Sequence, residues 1–285
     1  MNEFVVDSSK DAVIISAPKR AKRPKITHGE KKPNPFAKGN EKMTPETTHA
    51  LPNVKNWRVR CFENAFPIVS PKQKAFGHHE VIVETPKETE LFQDYSKEQC
   101  LLVFKAWKNR FSELSKKKGV RSVFLFKNHG KLAGASIPHE HSQIIALPFL
   151  PSLIESEYAH FDLHPGFYDS LLKDAVLENK FFALVPAKYG RFPHEFWVIS
   201  KKKKRNLLEL SDEEGLALVQ LLQKGVSKLW SFCQDYIFAF HQRIDGDFRL
   251  HVEVYPRSNV WAGLEYGAGV IVRSTSTKQT RKLLK

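Results

Sequence analysis

The sequence predicts an α+β protein built from two successive copies of one unit. Three observations carry this. Short apolar runs with two-residue alternation are bounded by turn residues, as strands are. Two segments carry a helix-capping signature followed by an apolar stripe of helical period. The order strand, strand, helix, strand, strand then occurs twice along the 285 residues.

In the first copy, residues 12–17 form an apolar run closed by Pro18, an expected edge strand. Residues 19–24 are too polar and proline-terminated for a core, and read as a loop placing Arg20 and Arg23 on one side. Guanidinium forks suit phosphate oxygens, so nucleotide contact stands beside the alternative of a flexible basic arm. Residues 25–56, rich in Pro, Lys, Asn and Thr, are expected to be irregular. Residues 57–64 alternate as a strand, Ala65, Phe66 and Pro67 turn the chain, and residues 79–85 form another strand stopped by Pro86. Ser96 and Gln99 have capping-box spacing, and Cys100, Phe104, Trp107, Phe111 and Leu114 make one core-facing stripe. Lys116, Lys117, Lys118 and Gly119 end that helix, as cations and glycine tend to do.

The chemistry falls in the next stretch. Val123, Phe124, Leu125 and Phe126 read as a buried strand, and Asn128, Gly130 and Gly134 mark a polar turn. A second strand runs to Leu147. Along it His139, His141 and Gln143 recur every second residue and share one face, while Glu140, Ser142 and Ile144 share the other. Two imidazoles and an amide aligned in this way can ligate a metal, or hold a nucleophile beside a group that binds the oxygens it works on. Two histidines on a sheet surface is the plain alternative.

Pro148, Pro151 and Pro165 interrupt regular structure and divide the chain into halves 1–150 and 151–285. In the second half, residues 181–185 and 195–200 read as strands, and Ser211 with Glu214 forms a second capping box. Val219, Leu222, Val226, Leu229 and Cys233 form a second stripe, and residues 236–240 and 249–255 are the closing strands. His251, Glu253 and Tyr255 share a face there. With His241 they could hold a metal, although structural hydrogen bonding is the better account of them. The tail 273–285 is expected to fray.

A content of 41% hydrophobic and 12% aromatic residues marks a globular chain. No stretch approaches ~18 consecutive apolar residues, and the start lacks a basic-then-apolar leader, so a cytoplasmic protein with no membrane partner is expected. Cys61, Cys100 and Cys233 are widely spaced in apolar contexts and read as buried free thiols. The net charge of +14 suits anionic small substrates steered to a cleft. Nucleic acid is not expected as a partner, because no recognition signature accompanies the charge.

The stretch Asn128-x-Gly130, then Gly134-x-Ser136-x-Pro138-His139-x-His141-x-Gln143, resembles the active-site block of the galactose-1-phosphate uridylyltransferase family, a nucleotidyl-transferring branch of the histidine-triad superfamily. The resemblance implies two tandem histidine-triad-like units, with antiparallel sheets and packed helices. The half 1–150 would carry the catalysis. His141 would be the nucleophile and Gln143 a donor to the phosphoryl oxygen, with Ser136 beside it and His139 orienting the strand. Arg20-Ala-Lys-Arg23-Pro24 resembles a family stretch near the nucleotide. Asn64 would hold the ribose, Phe66 would wall the base, and Asn128 belongs to the binding turn. Glu265, in the glycine-flanked stretch 261–269, would contact the hexose.

The resemblance also exposes a departure. In the family, two cysteines, a later histidine and the first histidine of the pair hold a structural zinc. Here Asn34, Ala37 and Glu88 stand where the first three would be, and His139 alone remains. Zinc needs three or four soft or imidazole ligands, so no zinc and no other cofactor is expected there. The resemblance points to a nucleotide sugar and a sugar 1-phosphate, or inorganic phosphate, as substrates of a homodimeric enzyme. Uridylyl transfer between hexose phosphates is the family's default, adenylyl transfer of the ADP-glucose phosphorylase type its alternative, and a non-catalytic binding protein on the same scaffold a third.

Overall fold

The computed structural model describes residues 1–10, 12–22 and 33–285. At its start β1 (Glu3–Asp7) and β2 (Ala12–Ser16) pair as an antiparallel ribbon apart from the main sheet. The first half then contributes β3 (Thr47–Leu51), β4 (Val59–Glu63), β5 (His78–Val83), α1 (Lys97–Ser115), β6 (Ser122–His129) and β7 (His141–Leu147). Two helices follow, α2 (Ser152–Leu163) and α3 (Phe167–Leu172). The second half contributes β8 (Leu177–Glu178), β9 (Phe182–Pro186), β10 (Phe196–Ser200), α4 (Asp212–Leu229), β11 (Tyr236–His241) and β12 (His251–Pro256), then α5 (Gly263–Ala268) and α6 (Thr277–Leu284).

The halves share one antiparallel sheet of order β3-β4-β5-β7-β6-β11-β12-β10-β9-β8. Read outward from the β6–β11 seam, each side runs hairpin strand, hairpin partner, then three preceding strands. The repeat visible in the sequence is thus a repeat in space. At the seam Phe126 lies opposite Ala239 and Lys127 opposite Phe238.

One face of the sheet is dry. Helix α1 presents Cys100, Phe104, Trp107, Phe111 and Leu114 to it, and α4 presents Leu218, Leu222, Val226 and Leu229. They meet Val59, Cys61, Ile82, Val123, Leu125, Ile144 and Ala146 from one half, and Leu184, Val198, Phe238, Val252 and Val254 from the other. Burying side chains of this size stabilises by roughly 1.5–3 kcal/mol each before entropy is charged, so one core serves both halves. Two glycines let α4 sit close: a Cβ at Gly215 would lie 2.2 Å from the Phe104 ring, and one at Gly225 would lie 2.6 Å from Phe196. The other face carries no helix over the first half, where Phe4 and Ile15 of the ribbon pack with Val69 and Ala75 on Ile145 and Leu147, and it is covered over the second by α2 and α3, which bury Ile154, Tyr158, Phe161, Tyr168 and Leu171 against Val185, Trp197 and Ile199.

Several sequence expectations are corrected. The excursion 25–56 contains an edge strand, β3, because Thr47 and His49 pair with Phe62 and Cys61 despite their polarity. The proline-rich junction 149–165 is helical. Pro151 sits at the N-cap of α2, where a missing N–H costs nothing. Ser96 caps α1 by accepting from Gln99 N–H, but Gln99 turns its own amide to the carbonyls of Arg58 and Glu84, so the box is half formed. Helix α4 ends at Leu229, leaving Cys233 in a turn beyond the stripe. The tail does not fray: Ser276 and Gln279 form a capping box, and Leu284 is fully buried in the shared core.

Candidate active site

The helix-free face of β7 carries His141, Gln143, Ile145 and Leu147, since Ser142, Ile144 and Ala146 point to the helices and Ser142 Oγ accepts from Trp107 Nε1–H at 2.8 Å. A cleft of about 440 Å³ opens beside its first residues, lined by His141, Gln143, Ser136, Asn64 and Phe66 with Phe36 and Phe62 among its apolar walls. Four segments far apart in sequence converge there, and the volume suits a small ligand.

His141 is presented as a nucleophile needs to be. Its Nδ1–H donates to the His139 carbonyl at 2.7 Å, which leaves a lone pair on Nε2. Burial pushes its pKa down to about 4, so the ring is neutral at physiological pH. Phe36 packs edge-on against it, ring centres 5.1 Å apart. Gln143 is fixed by a residue the sequence reading passed over. The Ile68 N–H donates to His79 Nδ1 at 3.3 Å, and His79 Nε2 lies 3.0 Å from Gln143 Oε1 and 3.1 Å from Asn64 Nδ2, so the ring sits between the two amides. The Gln143 side chain, so held, lines the cleft. The signal for His79 was its place on a strand two residues before Val81, but nothing in the alternation distinguishes it from a surface histidine.

The other side of the same strand holds a charged cluster. Glu140 reaches through to Lys127, whose side chain is 0% exposed, and the ammonium also meets Glu84 at 2.6 Å. Nδ1 of His129 lies 2.7 Å from Glu140. Burial works against the Glu140 charge, but Lys127 and His129 outweigh it and hold its pKa down at about 2. Burial raises the Glu84 carboxyl in spite of Lys127. The backbone between His139 and His141 is therefore pinned from behind, and Glu84 N–H also donates to the Glu140 carbonyl at 3.1 Å.

The other expected residues lie as follows. Arg20 donates to the Phe66 carbonyl at 3.0 Å, at the edge of the cleft. Arg23 lies outside the described residues. Asn64 turns the chain by accepting from Phe66 N–H at 2.9 Å. Asn128 lines a neighbouring, largely apolar cleft of about 460 Å³ over the β6–β11 seam, together with Phe126, Arg191 and Tyr255, and not the one around His141. Glu265 caps the short helix α5 by accepting from Ala262 N–H, and lines neither cleft. At the positions the resemblance gives to zinc, His139 has Asn34 on one ring nitrogen and the Thr85 carbonyl on the other, and Ala37 brings no donor. This set does not fit the metal.

The second cluster is more complete than the sequence showed. Donor atoms of His241, His251, Glu253 and Glu157 all lie within 4.8 Å of one another. Glu157 comes from α2, in the stretch where the prolines predict an interruption of regular structure. Two imidazoles and two carboxylates are a donor set that fits a divalent first-row cation.

An imidazole with one nitrogen turned to an apolar cleft, held beside a primary amide on a duplicated antiparallel sheet, is chemically able to carry a group in transfer. Residues 53–151 match the model of the galactose-1-phosphate uridyl transferase N-terminal domain. A galactose-1-phosphate uridylyltransferase of Streptomyces lividans is 34% identical over 68% of this chain and 62% of its own length. An ADP-glucose phosphorylase of Arabidopsis thaliana is 24% identical over 95% of this chain and 89% of that protein. The crystal structure of an Arabidopsis thaliana ADP-glucose phosphorylase with bound ADP-glucose superposes with a TM-score of 0.82 at 23% identity, covering 100% of this chain and 98% of the other, and so shares its fold. The chain thus carries a galactose-1-phosphate uridyl transferase N-terminal domain over residues 53–151, and its likeness to uridylyltransferases and to an ADP-glucose phosphorylase supports a nucleotidyltransferase.

Proposed function

We propose that the protein transfers a nucleotidyl group from a nucleoside-diphosphate sugar to a phosphate acceptor, by double displacement through His141. The observation that carries this is the His141 Nδ1–H bond to the His139 carbonyl, which leaves Nε2 unprotonated at the cleft. Nε2 attacks the α-phosphorus, a P–N bond forms, and the bond to the sugar phosphate breaks with its electron pair. The hexose 1-phosphate leaves as a dianion and needs no strong acid. A second phosphate oxygen then attacks phosphorus and restores the neutral imidazole. The intermediate carries positive charge on the ring, which the His139 carbonyl stabilises at Nδ1. Gln143, Ser136 and Arg20 or Arg23 hold the phosphoryl oxygens, so catalysis is mainly placement and charge neutralisation. Asn64 and Phe66 receive the nucleoside, whereas Asn128, on the neighbouring cleft, and Glu265, which lines neither cleft, have no place in the His141 site of this chain.

Uridylyl transfer between hexose phosphates is the first assignment. Adenylyl transfer from ADP-glucose to inorganic phosphate is the second, favoured by the length over which the Arabidopsis ADP-glucose phosphorylase matches. Incubation with UDP-glucose or ADP-glucose labelled at the α-phosphorus should give an acid-labile, alkali-stable label with one of the two, absent from His141→Ala. Label from neither would leave only a nucleotide-binding scaffold.

On this reading residues 1–150 carry the transfer chemistry and 151–285 support it. The protein is placed in the cytoplasm as a homodimer. Its three cysteines are free, and Val6, Leu264, Tyr266 and Val270 are among the apolar side chains exposed around the ends of the chain. No helix among the described residues is long and apolar enough to cross a membrane. No cofactor acts in the transfer. Glu157, His241, His251 and Glu253 would hold a divalent cation in a structural role, tying α2 to β11 and β12. Metal analysis of the purified protein should then give about one equivalent that His251→Ala removes, with a lower melting temperature. Equal metal in both proteins would refute the assignment.

A further inference from the structure

We propose that the Asn34 amide, braced by Glu88, does by hydrogen bonding what a structural metal would do at this place, and holds the His139–His141 segment in its reactive geometry without a cation. The proposal takes His141 as the nucleophile from the reading above.

The bonding closes with no donor or acceptor left over. Asn34 Oδ1 accepts from Phe36 N–H at 2.9 Å, which fixes the amide with its nitrogen toward His139. One of the two amide hydrogens goes to Glu88 Oε2 at 3.1 Å and the other to His139 Nδ1 at 2.9 Å. The His139 proton must then sit on Nε2, where it is donated to the Thr85 carbonyl at 2.7 Å. Both nitrogens of a ring that is 1% exposed are used, and neither has a lone pair to offer a cation. Asn34 is itself anchored, since its carbonyl accepts from Asn40 Nδ2 at 2.8 Å.

The same chain of contacts ends at the reacting atom. The His139 carbonyl receives the His141 Nδ1–H, so the position of His139 sets the tautomer and the tilt of the nucleophile. Asn34 does not line the cleft, but its neighbours Pro33, Pro35 and Phe36 do, and Phe36 packs on the His141 ring. Asn34 is therefore a positioning residue, acting through His139 on one side and Phe36 on the other. A zinc cluster would add charge here, whereas the amide bridge leaves His139 neutral.

Four measurements test this. In wild-type protein dialysed against a chelator, the ¹⁵N signals of His139 should show a protonated Nε2 and an accepting Nδ1. A proton on Nδ1, or a metal-shifted nitrogen, would overturn the proposal. Zinc content should be the same in wild type and His139→Ala, whatever the Glu157 cluster holds, and a loss of one equivalent on that substitution would also overturn it. Asn34→Ala should slow His141 nucleotidylation about 10- to 100-fold, the scale of a small misplacement of a reacting group. The triple variant N34C/A37C/E88H should take up one further zinc and recover rate only when loaded. An unchanged rate in Asn34→Ala would sink the positioning role. If Asn34→Ala does not fold, the nitrogen signals and the zinc comparison still decide. Neither depends on turnover, so a failure of the His141 mechanism is told apart from a failure of the amide bridge.

Discussion

Replacing His141 with alanine should lower turnover by about 10⁴-fold or more, because a covalent route has no bypass once its nucleophile is gone. Binding of the nucleotide sugar should survive within a few-fold, since the cleft walls from Phe36, Phe62 and Phe66 are untouched. The pH dependence of the first half-reaction follows from the same ring. Burial sets its pKa at about 4, so the unprotonated form that attacks is already complete at neutral pH. The His141 limb of the rate profile should be flat above pH 5 and fall only as the pH approaches 4. Because the folded value lies below the ordinary ~6.5, the folded state takes up fewer protons between the two, and this group's contribution to stability is present above ~6.5 and lost as the pH falls toward 4. Pre-steady-state labelling across pH in wild type and H141A measures both effects. An inflection near 6.5 assigned to His141, or an alanine variant within 10-fold of wild type, would rule out the neutral buried nucleophile.

The largest loss of stability is expected from Lys127→Met. The Lys127 side chain is 0% exposed and lies between Glu84 at 0% and Glu140 at 2%. Removing the ammonium leaves two carboxylates facing each other away from water, a change that costs about 3–5 kcal/mol when one partner of a buried pair is deleted. Glu84, whose carboxyl burial already raises, would be drawn to take up a proton, and the strand between His139 and His141 would lose its anchor. The triple variant K127M/E84Q/E140Q should recover much of the loss, because it removes the isolated charges as well. Urea denaturation at pH 7 compares the three proteins. Lys127→Met within ~1 kcal/mol of wild type would mean that the cluster contributes little.

Much of the site was legible because strand alternation is strict. His141 and Gln143 on one face of β7, opposite Ser142 and Ile144, follow from a period of two. The two capped helices were legible for a similar local reason. What escaped depended on contacts distant in sequence. His79 acquires its role only when β5 pairs with β7, and Phe36 only when its loop folds over His141. Helix α2 was hidden by prolines that in fact suit a helix start, and Glu157 was hidden with it. Thr47 and His49 look like loop residues because an edge strand needs little apolar surface.

The duplication makes the chain its own matched control. In β7 the His141 Nδ1–H donates to the carbonyl two residues earlier at 2.7 Å, and in β12 the His251 Nδ1–H does the same toward Arg249 at 2.9 Å. The scaffold thus offers two rings in one posture and varies what stands before them. His141 faces a cleft and is held uncharged. His251 faces Glu157 at 3.0 Å, within the acidic cluster of Glu157 and Glu253. One helix laid across half a sheet separates a ring that can attack from a ring kept stoppered by acid.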